Sequence, residues 1–511
     1  MRTPRILVTG SSGFIGRHLL DAIKDDWIVY GIARRSQARS GAPVHPNIHW
    51  LQVDIGDREA LRRAFATIRH DGPLDMVLHL AAHYDFTGEE DPEYWRTNVD
   101  GLRNVLDECR VSPPGRFIFS SSVAACRFPP PGGTVDESSP PDGDHVYAVT
   151  KRIGEQMLDE YRECFSSVIV RCAAIFSDWC EYPPLYFLLE TWLSNSWNRR
   201  VLGGRGESAI PYLHIDDAVS FFRTVLDRAG DLPHGEILLC SPDGATSQRE
   251  LFLATTDYCL GAPLRPILMP KPLCGPGLWF LNLLGRIVGQ EVFLKPWMAR
   301  YIDRKLVVDA RRTRERLHWR PRARLAILRR IPFLIDHRMT DPVEWHRRNR
   351  AAMHQIRLAR HLKIRAMLER HEQEIVDEMS RRLTAPGFRE RFPTYQRLER
   401  GEMAWNTRIA LQTLAHAIQL RQKALFVAYC RELARRRYES GFGAEEVTEA
   451  LDMLEQVCRD VLVRDPEYVE VADRIEQCLT MTIRIGQDQI EDFYESQLER
   501  AHHLGRRRAS P

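Results

Sequence analysis

The sequence predicts an α/β fold with a parallel sheet up to about residue 340, followed by an all-helical domain. Three observations carry this. Short apolar runs alternate with helix-length amphipathic segments through the first part, which is the pattern of βαβ units. A glycine-rich turn, ILVTGSSGFIG, closes the first apolar run and opens the first helix. Past about residue 345 the strand-like runs stop and only helical periodicity remains.

The bulk numbers agree. A chain of 511 residues is long for one domain. Hydrophobic content of 44% and charged content of 28% are those of a soluble globular protein. A net charge of +3 argues against nucleic acid as a partner. The 11 cysteines form no Cys-x-x-Cys pair, which points away from a zinc site or disulfide framework and toward a cytoplasmic protein without metal. The opening MRTPRILVTG lacks the apolar core of a signal peptide. No run reaches the ~18 apolar residues of a membrane span.

Taken in order, RILVTG, WIVYGIA, MVLHLAA, RFIFSSS and SVIVRCA read as buried strands. Segments such as IGRHLLDAIKD and GLRNVLDECR read as the helices between them. The expected α/β domain covers 1–340, with a substrate lobe at about 175–300. A basic helical segment, 341–365, follows as a linker; it holds Arg347, Arg348, Arg350, Arg357, Arg360, Lys363 and Arg365. Such a segment is usually solvated, but it also suits an acidic partner or an anionic membrane surface. Residues 366–511 are expected to form a helical bundle. Its stripes include Leu411, Leu414 and Ile418, then Val447, Leu451, Leu454, Cys458 and Val461. Asp465 and Pro466 read as the cap and first position of a further helix. His371 and His416 read as solvated rather than as ligands.

The glycine turn carries the first functional reading. Gly10, Gly13 and Gly16, with Thr9, Ser12, Phe14 and Ile15 between and beside them, follow a strand and open a helix. Glycines allow a tight turn and let a pyrophosphate reach the helix N-terminus, where free N–H groups and the helix dipole favour anions. The end of the second strand chooses between dinucleotides. An acid there suits the ribose hydroxyls of NAD, and arginine suits the 2′-phosphate of NADP. Ala33 stands where an acid is expected and is followed by Arg34 and Arg35, so NADP(H) is favoured over NAD(H). Asp54, before Ile55, is expected either to accept from the adenine amino group or to cap a turn. In YAVTK, Tyr147 and Lys151 share one helix face, so the ammonium can favour the phenolate and make a proton-transfer device.

The ordered set of motifs resembles the extended short-chain dehydrogenase/reductase family, also named NAD-dependent epimerase/dehydratase. The matching pieces are TGSSGFIG, HLAA (79–82), TNVDGLRNVL (97–106), FIFSSS (117–122), YAVTK and HIDDAV (214–219), across about residues 5–335. The resemblance implies a Rossmann-type doubly wound sheet. It implies that Tyr147 is the catalytic acid/base, that Lys151 binds the nicotinamide ribose and holds Tyr147 near its phenolate pKa, and that Ser122 bonds the substrate oxygen. Asn98 then belongs to the helix start behind the site, and Leu80, Ala81 and Ala82 line the cofactor.

Departures from the family pattern narrow the function. Val123 and Ala124 stand where dehydratases carry an Asp-Glu pair. Cys126 and Arg127 replace the usual Tyr-Gly. Ile210 and Pro211 stand where an arginine commonly holds a sugar-nucleotide diphosphate, though Arg199, Arg200 or Arg205 remain as substitutes. Asp216 and Asp217 read as helix caps. Two lobe segments, DWCEYPPLYFLLETWLSNSW and KPLCGPGLWFLNLLGRIVGQEVFLKPWM, read as core helices, or as an apolar pocket or membrane-interface surface; Arg286 and Glu291 break the second run. The expected function is an NAD(P)-dependent oxidoreductase, NADPH favoured, acting on a secondary alcohol or ketone of a mid-sized, apolar molecule, as a homo-oligomer. A sugar epimerase with retained cofactor and a dinucleotide-sensing scaffold are the alternatives.

Overall fold

The computed structural model describes residues 2–85, 91–288, 293–352, 360–420 and 422–508. Arg357 and Glu291, singled out in the sequence, lie outside the described residues. The chain divides into two compact units, residues 1–340 with 351–354, and residues 341–350 with 355–511.

The first unit is built on a seven-stranded parallel sheet. Its strands are β1 (Arg5–Thr9), β2 (Ile28–Ala33), β3 (Ile48–Gln52), β4 (Met76–His79), β5 (Arg116–Ser122), β6 (Ser167–Cys172) and β7 (Glu236–Cys240). Their spatial order is β7-β6-β5-β4-β1-β2-β3. Successive side chains of a strand face opposite sides. Ile6, Val8, Ile118, Val168 and Val170 therefore join one core, with Leu19, Leu20 and Ile23 of α1 (Phe14–Ile23) and Phe221, Phe222 and Val225 of the helix Ile215–Arg228. Leu7, Phe117, Phe119 and Ile169 join the other, with Leu61 and Phe65 of α2 (Arg58–Asp71) and Leu102 and Val105 of α3 (Gly101–Val111). Covering both faces is what apolar strands on both sides require, and it makes the unit a Rossmann-type doubly wound fold. The order reverses between β1 and β4, whose ends pair at Thr9 and His79. That reversal opens the crevice where such folds bind ligands. Smaller two-stranded pieces and the helices Pro183–Trp192, Gln248–Leu260 and Lys271–Val288 form the lobe after β6.

The second unit is helical throughout its described residues, as its periodicity predicts. Helices Arg360–Arg370, Glu372–Thr384, Arg400–Leu420, Ala424–Glu439, Ala444–Leu462 and Met481–Arg508 surround one core of Ile364, Leu368, Leu414, Phe426, Val457 and Ile483. Gly486 permits one close crossing, since a Cβ there would lie 2.6 Å from the Cys430 sulfur. Three expectations are corrected. Among its described residues the segment 341–365 is not wholly solvated: Arg347, Arg350 and Arg360 are exposed, but Trp345 and Asn349 are buried, Leu362 and Ile364 are core, and Lys363 and Arg365 are buried in ion pairs with Glu470 and Glu369. Asp465 accepts from the Glu467 N–H at 2.8 Å, but it caps a tight turn, and the next α-helix starts at Ala472. Its fully buried carboxylate also takes Arg370 and lies 3.1 Å from His371 Nε2, so His371 is packed rather than solvated.

Candidate active site

The glycine loop forms where β1 ends. Gly10 has φ +72°, and a Cβ on it would lie 2.7 Å from the Ala81 nitrogen. A Cβ on Gly16 would lie 2.4 Å from the Gly10 carbonyl oxygen. Glycine at both places lets the turn, α1 and the segment after β4 converge. The Gly13 N–H donates to the Gly10 carbonyl at 2.8 Å, closing the turn. No side chain caps α1, so the N–H groups of its first turn, from Phe14, Ile15 and Gly16, face outward with the dipole behind them. This cradle, with space only for hydrogen at its glycines, fits a dinucleotide pyrophosphate.

Charge at the end of β2 is positive. Arg35 bends back onto the loop, its Nη2 donating to the Ser12 carbonyl at 2.6 Å, and burial, then Arg17 and Arg34, lower its pKa. Arg34 pairs with Glu93 at 2.8 Å. Burial opposes ionisation of Glu93, yet hydrogen bonds from Arg96 and Thr97 hold it down at about 2. Asp54 has a structural position: its carboxylate accepts from the Gly56 N–H at 2.9 Å and from Arg96 at 2.8 Å. Ile55 is buried in the core against Gly101. Leu80 and Ala81 follow β4 and donate their N–H groups to the Thr9 carbonyl (3.2 Å) and hydroxyl (3.3 Å); Ala82 is exposed beside them.

Tyr147 stands in the first turn of α4 (Val146–Glu160), which His145 caps by accepting from the Ala148 N–H at 3.2 Å. Lys151 lies one turn on. Its Nζ is 5.6 Å from the Tyr147 ring centre and donates to the Ser120 carbonyl at 2.7 Å. Ser122 ends β5 beside Cys172 of β6; its hydroxyl donates to the Cys172 carbonyl at 3.4 Å and accepts from the Ala124 N–H at 3.1 Å. Asn98 sits in a π-helical turn, Arg96–Asp100. Its Oδ1 accepts from the His83 N–H at 2.6 Å, and its Nδ2 donates to the His83 carbonyl at 3.0 Å and the Thr150 hydroxyl at 3.1 Å. Asn98 thus ties the loop after β4 to the residue before Lys151, and π-turns recur at such sites.

The electrostatics depart from expectation. Burial, then Tyr84 and Cys172, push the Tyr147 phenol above its ordinary value, and the Lys151 charge does not offset this. Burial pulls the Lys151 ammonium down to about 8. At about 8 the ammonium stays protonated near neutral pH and so keeps its charge beside the phenol.

Other members of the site were not foreseen. Tyr84 stacks on Tyr147 with centroids 4.2 Å apart. His79 is buried beside the Thr9 hydroxyl at 3.0 Å, and burial, then Lys151, lower it to about 3, so it is neutral. Glu155 takes the buried Arg171 through two contacts of 3.0 and 2.8 Å and the Ser121 hydroxyl at 2.6 Å. The signals were available: Tyr147, Lys151 and Glu155 recur at four-residue spacing, and Arg171 is the one charge in SVIVRC. In HIDD the cap is His214, accepting from the Asp216 N–H at 3.2 Å, whereas Asp217 is buried against Arg322. His83, Asp85 and Asp91 bring ligand-type atoms within 4.8 Å of one another, while Asp91 caps the turn at Pro92–Trp95.

Residues 6–240 match the NAD dependent epimerase/dehydratase family. UDP-glucuronate 4-epimerase 3 of Arabidopsis thaliana is 26% identical over 250 residues, 45% of this chain and 57% of its own length. The human dTDP-D-glucose 4,6-dehydratase is 27% identical over 240 residues, 44% of this chain and 66% of its own. The chain therefore spans little more than half the length of the first of these curated relatives. Among solved structures, the UDP-glucose 4-epimerase of Thermotoga maritima covers 65% of this chain and 98% of its own, at 20% identity and a TM-score of 0.50, a likeness of fold.

Proposed function

From the match of residues 6–240 to the NAD dependent epimerase/dehydratase family, we propose that this chain is an NAD(P)-dependent oxidoreductase of a secondary alcohol or ketone. The observation that carries the proposal is Lys151 beside Tyr147, its Nζ 5.6 Å from the ring centre and bonded to the Ser120 carbonyl on the strand that ends at Ser122. A nicotinamide dinucleotide held by Gly10, Gly13, Gly16 and Lys151 supplies the hydride acceptor or donor. Tyr147 Oη moves the proton of the substrate hydroxyl, Ser122 Oγ holds the same oxygen, and the Lys151 ammonium supports the phenolate while the substrate reacts. In the reducing direction the protonated phenol that burial favours is the form Tyr147 donates from, and in the oxidising direction the positive charge of an oxidised nicotinamide would add to that of Lys151 in favouring the phenolate.

NADPH is the favoured partner. Ala33 leaves no acid at the end of β2, and Arg17, Arg34 and Arg35 make that end cationic. The substrate is mid-sized and largely apolar. Tyr84 lies against Tyr147, and Tyr182 is near enough to both for its phenol to feel them. Val123 and Ala124 offer no carboxyl group for dehydration. The eleven cysteines, all free thiols, suit a cytoplasmic homo-oligomer.

A second reading, a sugar-nucleotide epimerase with retained cofactor, is favoured by the names of the curated relatives. Both readings need the same proton transfer at Tyr147. They separate in a cofactor-consumption assay: steady NADPH oxidation with ketones supports the first, whereas interconversion of a UDP-sugar with no net cofactor change supports the second and rejects the apolar substrate.

A further inference from the structure

The helix Lys271–Val288 turns an apolar side to solvent. Pro272, Leu273, Pro276, Trp279, Phe280 and Leu283 recur at spacings of three and four, so they form one stripe, and all six are exposed. Trp279 is 61% and Phe280 55% exposed. The opposite side is tied down: Cys274 is buried, and Asn282 Nδ2 donates to the carbonyls of Leu278 at 2.8 Å and Leu294 at 2.7 Å. Exposed apolar side chains continue onto the short strand Ile267–Met269, at Ile267 and Leu268. That strand pairs with Val201–Gly203, which follows Trp197, 75% exposed. Apolar groups clustered this densely on a surface mark an interaction site.

The charges within the segments that carry these apolar groups have one sign, the nearby Asp303 carboxylate being engaged by the Arg205 N–H at 2.9 Å. Segments 194–203 and 261–283 contain Arg199, Arg200, Arg265 and Lys271 and no Asp or Glu. Arg200 donates to the Arg265 carbonyl at 2.7 Å, holding the two strand ends together. No described helix is long and apolar enough to cross a membrane.

We propose that this face docks in the headgroup region of an anionic lipid bilayer, with Trp279 and Phe280 at the acyl boundary and the four cations on lipid phosphates and carboxylates. Aromatic and aliphatic side chains under a cationic rim are the composition of a helix lying in the interface. A second copy of the chain fits worse, because a twofold contact would bring two cationic rims together. The proposal rests on exposure and charge, not on the oxidoreductase reading, and its test does not read activity.

The test uses the full chain with vesicles of phosphatidylcholine alone or with about 30 mol% phosphatidylserine, read by co-sedimentation and Trp fluorescence. The expected result is binding to the phosphatidylserine vesicles, with a blue shift, that weakens as salt is raised. Trp279→Glu with Phe280→Glu should lower partitioning by about tenfold or more with an unchanged circular dichroism spectrum. Arg200→Glu with Lys271→Glu should remove the preference for phosphatidylserine. No vesicle binding, equal binding by the Trp279/Phe280 variant, or conversion of a dimer into a monomer by that variant would each overturn the proposal.

Discussion

Tyr147 is half-buried under Tyr84, and burial keeps its phenol protonated, the form that donates a proton. Tyr147→Phe should therefore leave cofactor affinity nearly unchanged and lower turnover by roughly two to four orders of magnitude, the usual size of general acid–base terms. Near-normal turnover by that variant, measured by NADPH absorbance, would remove Tyr147 from the chemistry. Under the proposed reading, Arg34 and Arg35 set the preference for NADPH. Arg34→Ala with Arg35→Ala should weaken NADPH far more than NADH, since a charge-assisted phosphate contact is worth ~1.5–3 kcal/mol. Wild-type protein that binds NADH as tightly as NADPH in a fluorescence titration would contradict the assignment. Because Arg34 is already paired with Glu93, Arg35 should account for most of the loss. His79 gives a pH signature. Its folded pKa of about 3 lies below the ordinary 6.5. Between those values the unfolded chain binds a proton that the folded chain refuses, so stability falls as pH drops through the window. Thermal melts of His79→Asn should show a shallower acid limb than wild type, and an identical limb would mean that His79 is not the group responsible.

At the scale of elements, the glycine loop is where local geometry is least forgiving. Gly16→Ala puts a methyl 2.4 Å from the Gly10 carbonyl oxygen, and backbone cannot swing aside as a side chain can. Cofactor affinity should fall by roughly tenfold or more, read by titration, while circular dichroism stays near wild type. Unchanged affinity would mean that α1 does not hold the pyrophosphate. The strands around this loop were legible because their apolar runs are continuous and the turn has few conformational choices. The Tyr147–Lys151 face was legible because helical spacing dictates it. Tyr84 was not, since it comes from a loop whose path depends on Asn98 and the π-turn rather than on local sequence. The pairing of Glu155 with Arg171 required knowing that α4 packs against the β5–β6 edge. The basic segment before the bundle misled for another reason: charge suggests solvent, but Lys363 meets Glu470 from a distant part of the chain and Arg365 meets Glu369 one turn on, while Leu362 and Ile364 are buried.

For the whole molecule, the two units have separate cores. A fragment of residues 1–340 should fold and bind NADPH. A fragment of 360–508 should melt cooperatively as a helical protein, whereas one starting at 366 loses Leu362 and Ile364 and should be less stable. Removing a large buried aliphatic side chain costs ~2–5 kcal/mol, so equal melts for the two fragments would show that the first turns of the Arg360–Arg370 helix lie outside the core. The central claim is that Tyr147 passes a proton while a dissociable NADPH delivers hydride to a ketone. Its most direct test is incubation with NADPH deuterated at the reactive nicotinamide carbon, followed by mass spectrometry of products from a ketone panel. Wild-type protein should place one deuterium on a new carbinol carbon, and Tyr147→Phe should lower that yield by roughly two to four orders of magnitude. No deuterium in any product, while a UDP-sugar interconverts without net cofactor change, would contradict it.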